Sequence, residues 1–132
     1  MATTVASRVE HMGIAVADPN ASARWYQRIL DFQPVFGNGE DPPTLLVEHP
    51  SGFRLEIMPK TDLPQPVRAV RDPGWSHIAF TVANIEQAAA DLKTRGLELD
   101  ARVVDAVGGG RILNFADPDG NMFQIVERPA SA

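Results

Sequence analysis

The chain contains no cysteine. Disulfides, thiolate metal sites and a cysteine nucleophile are thereby excluded, and nothing points to an oxidising compartment. No apolar run approaches the ~20 residues that a transmembrane helix needs. The opening residues, MATTVASRVEHMG, lack the uninterrupted apolar stretch of a signal peptide. Positive charge is scarce: 12 Lys and Arg stand against 17 Asp and Glu, a net charge of −5. Nucleic acid and anionic membrane would be repelled, and no basic cluster offsets this. We therefore expect a soluble, cytoplasmic protein that meets a small-molecule substrate, with no nucleic acid and no membrane as partner.

What is present is ordinary in amount and informative in order. The 132 residues are 44% hydrophobic and 22% charged, as in a globular chain of one domain or two small modules. A domain of this size buries roughly 65–70% of its unfolded surface. VEHMGIAVAD (9–18) aligns without a gap on WSHIAFTVAN (75–84). His11 falls on His77, Val16 on Val82 and Asp18 on Asn84, a shift of 66 positions. Each stretch runs into a helix pattern. Asp18 is placed to N-cap, with Pro19 at the first helical position, where its missing N–H costs nothing. Asn84 and Gln87 have the spacing of a capping box, and Gly96 suits the residue after the helix end.

Three short strand patterns follow each helix. They are QPVFG (33–37), TLLVEH (44–49) and FRLEIM (53–58), then LELDARVV (97–104), GRILNFA (110–116) and NMFQIVE (121–127). Between the last two of each set lies a turn carrying Pro then Gly, HPSG (49–52) or DPDG (117–120). PKTDLPQPVRAVRDPG (59–74) has four prolines and no period, and reads as a connector. The expected organisation is α+β: a βαβββ module over 8–58, the connector 59–74, and a second βαβββ module over 75–128. In each, a helix covers one face of a sheet.

Alternation along strands assigns faces. Met12, Ile14 and Val16 bed the first helix, leaving His11, Gly13 and Ala15 on the other face. Ile78, Phe80 and Val82 repeat this, with His77, Ala79 and Thr81 opposite. Leu55 and Ile57 go with the helix, while Arg54, Glu56 and Met58 go opposite. Phe123 and Ile125 go with the helix, while Met122, Gln124 and Val126 go opposite. Glu127 shares the parity of Phe123, lies at the strand end, and is expected in solvent. Counting four residues on from the turn glycines Gly52 and Gly120 reaches Glu56 and Gln124. Two imidazoles, a carboxylate and an amide thus occupy two pairs of repeat-related positions.

That set suits a divalent transition metal. Imidazole takes Zn, Fe, Ni and Co, and the oxygen donors admit Mn and Mg. Singly, each residue has an ordinary explanation: a satisfied strand histidine, or a carboxylate at a rim. Their common repeat positions favour the metal, because unpaired polar groups are costly inside a sheet cavity. Arg54 is open to pairing with Glu56 or to binding a substrate anion. Met58, Met122 and Trp75 are candidates to line the site or simply to pack. His49 precedes a turn proline without a repeat partner and reads as a solvated loop residue. The triple glycine 108–110 precedes a strand, not a helix, so it is no phosphate loop; a mobile loop at the cavity rim is the preferred reading.

HMGIAV (11–16), RLEIM (54–58), SHIAFTV (76–82) and FADPDGNMFQIVE (115–127) resemble the vicinal oxygen chelate superfamily, the glyoxalase/bleomycin resistance/dioxygenase group. The resemblance covers about residues 8–128, and DPDGN followed by a strand is its most specific part. It implies paired βαβββ modules whose curved mixed sheets enclose a metal-lined cavity. The family's four ligand positions fall on His11, Glu56, His77 and Gln124. Gln124 stands where lyases and extradiol dioxygenases of the group usually have Glu. An amide accepts no proton at neutral pH, so Glu56 is the ligand left to act as base. The activity implied is a glyoxalase-like, metal-dependent lyase or isomerase, acting on a small substrate with vicinal oxygens through a metal-stabilised enediolate. The metal would be Zn, Ni, Co, Mn or Fe. The alternatives are an Fe(II)-dependent extradiol-type dioxygenase, formally supplied by His11, His77 and Glu56, and a non-catalytic antibiotic-binding resistance protein. A homodimer is also expected from the resemblance.

Overall fold

The structure, a computed structural model, describes residues 4–64 and 67–130. The chain divides into two units, Met1–Leu63 and Pro64–Ala132. The boundary falls inside the proline-rich segment 59–74. No described helix is long and apolar enough to cross a membrane.

The first unit runs β1 (Met12–Val16), α1 (Pro19–Leu30), β2 (Gln33–Gly37), β3 (Leu45–Glu48) and β4 (Arg54–Pro59). Its sheet has the order β1-β4-β3-β2, with β1 parallel to β4 and the other pairings antiparallel. Asp18 is extended and its side chain accepts from the Ala21 N–H at 3.1 Å, with Pro19 opening the helix as expected. The spacing of Ser22, Trp25, Tyr26, Ile29 and Leu30 buries one helix face. That face meets Val16, Val47, Leu55 and Ile57, all buried strand residues. Burying each such side chain is worth ~1.5–3 kcal/mol. Asp31 ends the helix at φ 65, a left-handed position that Asp tolerates better than most residues. Phe32 then turns inward, its ring edge-on to Tyr26 at 5.5 Å. Pro34 has no N–H for the ladder, and the β2–β3 register slips between Pro34 and Phe36.

The second unit repeats the plan with β5 (His77–Thr81), α2 (Ile85–Thr94), β6 (Val104–Asp105), β7 (Arg111–Ala116) and β8 (Met122–Glu127), in the order β5-β8-β7-β6. Phe115 and Phe123 stack at 5.6 Å, and Phe80 stacks on Phe123 at 6.1 Å. Asn84 accepts from Gln87 N–H at 2.9 Å. Among the described residues the Gln87 side chain does not accept the Asn84 N–H that would close a capping box; its amide donates to Asp91. The helix stops as the glycine suggests: Gly96, at φ 104, donates to the Lys93 carbonyl and Leu97 donates to Leu92.

Three expectations need correction here. The strand anticipated over 97–104 shrinks to Val104–Asp105. Leu97 spends its N–H on the helix stop and buries its side chain, and β7 is met only at Val104 and Asp105. Glu127 is not a solvated strand end. Its Oε2 accepts the Ile85 N–H at 2.9 Å, closing the exposed end of α2, and its Oε1 accepts from Arg111. Arg111 also grips Glu86 with both terminal nitrogens. The Ile85 N–H and the Arg111 guanidinium together hold the Glu127 carboxyl below its usual range, and Arg111 does the same to Glu86. Finally, the triple glycine is tied down. All three residues have positive φ, and Arg128 donates to the carbonyls of Val107 and Gly109 at 2.7 and 2.8 Å. A Cβ on Gly110 would collide with the backbone oxygen of Glu127.

Candidate functional site

In the first unit, register brings the chemistry together. Gly13 of β1 pairs with Glu56 of β4. His11 lies two residues before Gly13, hence on the same face. The His11 Nδ1 is 3.0 Å from the Glu10 Oε1, and its Nε2 is 3.9 Å from the Glu56 Oε2. A carboxylate can only accept, so Nδ1 carries the ring proton and Nε2 keeps its lone pair. Glu56 is half-buried and receives no hydrogen bond from the described residues. An ion with bonds of ~2.0–2.2 Å reaches both atoms across that gap.

The second unit repeats the arrangement. Ala79 of β5 pairs with Gln124 of β8, as Gly13 pairs with Glu56. His77 is again two residues earlier on the same face. The Ser76 hydroxyl donates to the Val70 carbonyl at 2.7 Å, so its oxygen accepts from His77 Nδ1 at 2.8 Å. The His77 Nε2 is left with its lone pair and no partner among the described residues. A second partner that fixes the tautomer in this way is usual for ligating histidines. Both networks were missed in the sequence. Their signal was present, since Glu10 and Ser76 are themselves related by the 66-residue shift.

The remaining candidates divide. Met58 lies on the Glu56 face, with its terminal methyl 3.2 Å from where a Cβ on Gly13 would stand. A Cβ at that position would press on the flexible end of the thioether. Met122 pairs with His77 in the ladder and is half-buried. Trp75 is 83% exposed, and its carbonyl accepts from Arg68 at 3.0 Å. Arg54 does not bond to Glu56; its Nε donates to Glu48 Oε1 at 2.8 Å, directly across β3 and β4.

His49 is not the solvated, unmatched residue expected. It is half-buried, edge-on to Phe32 at 5.4 Å, and its Nδ1 accepts the Ser51 N–H at 3.1 Å. Burial lowers its pKa below 6.5, opposed by the charge of Asp31. Its repeat partner is Asp117, whose Oδ1 accepts the Asp119 N–H at 2.9 Å in the same turn position. In both hairpins the first turn residue closes the same backbone bonds: His49 with Phe53 and Gly52, Asp117 with Asn121 and Gly120.

Among the described residues, no group of three His, Cys, Asp or Glu is gathered closely enough to hold a metal alone. Each unit supplies one pair, an imidazole with an oxygen donor.

Comparison with known proteins settles the family. The sequence matches the Glyoxalase/Bleomycin resistance protein/Dioxygenase superfamily over residues 8–125. The chain belongs to that superfamily. Among its relatives, the uncharacterized protein YwkD of Bacillus subtilis is 24% identical over 123 residues, covering 91% of this chain and 96% of YwkD. The fosfomycin resistance protein FosX of Listeria innocua is 23% identical over 124 residues, covering 90% and 88%. In fold, the chain is similar to a superfamily domain from Frankia sp. at TM-score 0.76 and 22% identity, covering 96% of both chains. It is also similar to a mutant FosX of Listeria monocytogenes at TM-score 0.70 and 19% identity, covering 95% and 93%. That FosX structure holds Mn(II) and 1S,2S-dihydroxypropylphosphonic acid.

Proposed function

We propose that the protein is a metal-dependent lyase or isomerase of the glyoxalase type, with His11, Glu56, His77 and Gln124 as its divalent-metal ligands. The observation that carries this reading is the matched state of the two histidines. Each spends Nδ1 on a neighbour at repeat-related positions, each has no hydrogen-bond partner for Nε2 among the described residues, and each shares a sheet face with an oxygen-bearing side chain on the adjacent strand. The donor set suits Zn, Ni, Co, Mn or Fe, and Mn(II) in the related FosX structures supports the hard end of that range.

When bound, the ion supplies a Lewis acid toward two neighbouring substrate oxygens. Glu56 is the proton carrier: its Oε2 is the oxygen nearer His11, which leaves Oε1 to take a proton from one carbon and return it to the next. Gln124 has no basic oxygen and serves only as a donor atom. The exposed faces of Met58 and Met122 border the pairs and bind the apolar part of a small substrate. Two histidines and one carboxylate also make the ligand set of an Fe(II) dioxygenase, but here the carboxylate is on β4 and the amide on β8.

Elemental analysis of protein purified without added metal tests the ligand set. One divalent ion per chain is expected, lost in both His11→Ala and His77→Ala and kept in Glu127→Gln, whose side chain serves α2. Retention of the ion in either histidine variant overturns the ligand set. Oxygen uptake with catechols on Fe(II)-loaded protein identifies the dioxygenase instead. The family likeness supports a homodimer, which light scattering reads as twice the 14.3 kDa chain mass.

A further inference from the structure

We propose that the substrate carries an anionic group, a carboxylate or a phosphate-type oxyanion, and that Arg54 binds it. The inference rests on the metal reading above and names the substrate class for that site.

Arg54 and Glu56 are two residues apart on β4 and share one face, so their backbones are separated by ~6.5–7 Å. Arg54 is half-exposed, and its only hydrogen bond runs from Nε to Glu48 Oε1 at 2.8 Å. Neither terminal nitrogen has a partner among the described residues. Arg111 engages Glu86 through both terminal nitrogens, a two-pronged geometry that Arg–carboxylate pairs frequently adopt. Here a single bond from β3 fixes the side chain and leaves the two-pronged edge free. Glu48 is thus a positioning residue for Arg54. An exposed pair of this kind contributes only ~0–1 kcal/mol to stability, which is too little to account for the geometry by itself.

Charge gives the arrangement a condition. Glu10, Glu48 and Glu56 all lie close to Arg54 or His11, so the neighbourhood carries more negative than positive charge from these four side chains without a metal. A divalent ion beside His11 and Glu56 cancels the excess. The guanidinium then acts on an anion at close range. Anion binding should therefore depend on the metal. The fitting substrate has chelating oxygens at one end and an oxyanion a short spacer away.

Two hydroxamates test this. Both chelate a metal through vicinal oxygens, but phosphoglycolohydroxamate carries a phosphate and acetohydroxamate does not. Titration calorimetry on Mn(II)-loaded protein at fixed ionic strength should show at least tenfold tighter binding of the phosphorylated probe. Arg54→Ala should erase that preference, leaving acetohydroxamate affinity and metal content unchanged. Arg54→Gln, closer in volume, should do the same, and Arg54→Lys should keep part of the preference. Glu48→Gln should weaken the phosphorylated probe only. A preference that survives Arg54→Gln overturns the assignment, as does equal affinity of the native protein for both probes. Protein that retains no metal and binds neither hydroxamate refutes the metal reading and this inference with it. Protein that chelates acetohydroxamate normally but ignores the phosphate refutes this inference alone.

Discussion

Replacing Asp117 by alanine measures how much the second hairpin depends on one side chain. Asp117 is 5% exposed, and its carboxylate accepts from the Asp119 N–H, the Asn121 N–H and the Asn121 amide at 2.8–2.9 Å. Hydrogen bonds to a charged group are each worth ~1.5–3 kcal/mol. Asp119 and Asn121 are only half-buried, so their N–H groups regain water in the variant, and the sum is an upper bound. We expect Asp117→Ala to cost ~2–4 kcal/mol, a fall of about 1–2 M in the urea midpoint. Asp117→Asn keeps an oxygen for the two backbone donors but faces the Asn121 amide with another donor, and should cost about 1 kcal/mol. Urea unfolding followed by circular dichroism reads both, and if the units melt separately the loss belongs to the second step. The turn ends at Gly120, four residues before Gln124, and sets where β8 begins at Met122. Metal affinity should therefore fall further in Asp117→Ala than in Asp117→Asn. Equal losses in the two variants, or less than about 1 kcal/mol for alanine, would show that the turn holds its shape through Pro118 and Gly120 alone.

The first hairpin should be sensitive to mild acid, because His49 occupies the position that Asp117 holds in the second. His49 has its pKa lowered below 6.5 by burial, so the folded state favours the neutral ring that accepts from Ser51. Its contribution is complete above pH 6.5 and is lost as pH falls through the lowered value. Thermal melts from pH 7.5 to 5 should show that loss, and His49→Asp should flatten it; an unchanged slope in that variant would refute the assignment. Ser22 makes a different prediction. Its hydroxyl is buried in α1 without a hydrogen-bond partner among the described residues, so Ser22→Ala should stabilise the protein by about 1 kcal/mol through lost desolvation and better helix propensity. A lower urea midpoint in that variant would mean that the hydroxyl is satisfied.

Much of the molecule was legible because two periods and one duplication carry it. Alternation placed Phe123 and Ile125 under α2 and Gln124 opposite, and the ladder Ala79–Gln124 bears this out. The capping residues Asp18 and Asn84 were readable for the same local reason: a short polar side chain before an amphipathic run has one favourable use. The features that escaped involve contacts distant in sequence. Parity put Glu127 on the helix side of β8, but only the fold shows that Ile85, 42 residues away, presents its N–H there. LELDARVV alternates like a strand, yet alternation cannot say whether a neighbour is within reach, and β7 meets only its last residue.

The repeat itself was read too strictly. His49 looked unmatched because it was compared by residue type, and an imidazole does not resemble a carboxylate on paper. In the turn both present one acceptor atom to the N–H two residues on, and that atom is what the backbone requires. The same logic bears on Glu56 and Gln124. Each carries a side-chain oxygen at the same ladder position, and both oxygens are of the hard kind that the proposed metal would accept. They differ in charge and in basicity, because only the carboxylate can take a proton. On the proposed ligand set, the two repeats would keep an oxygen donor each and leave basicity on one side. A Gln124→Glu variant that keeps its metal would place a second base there, and its catalytic profile would report which face of the substrate loses the proton.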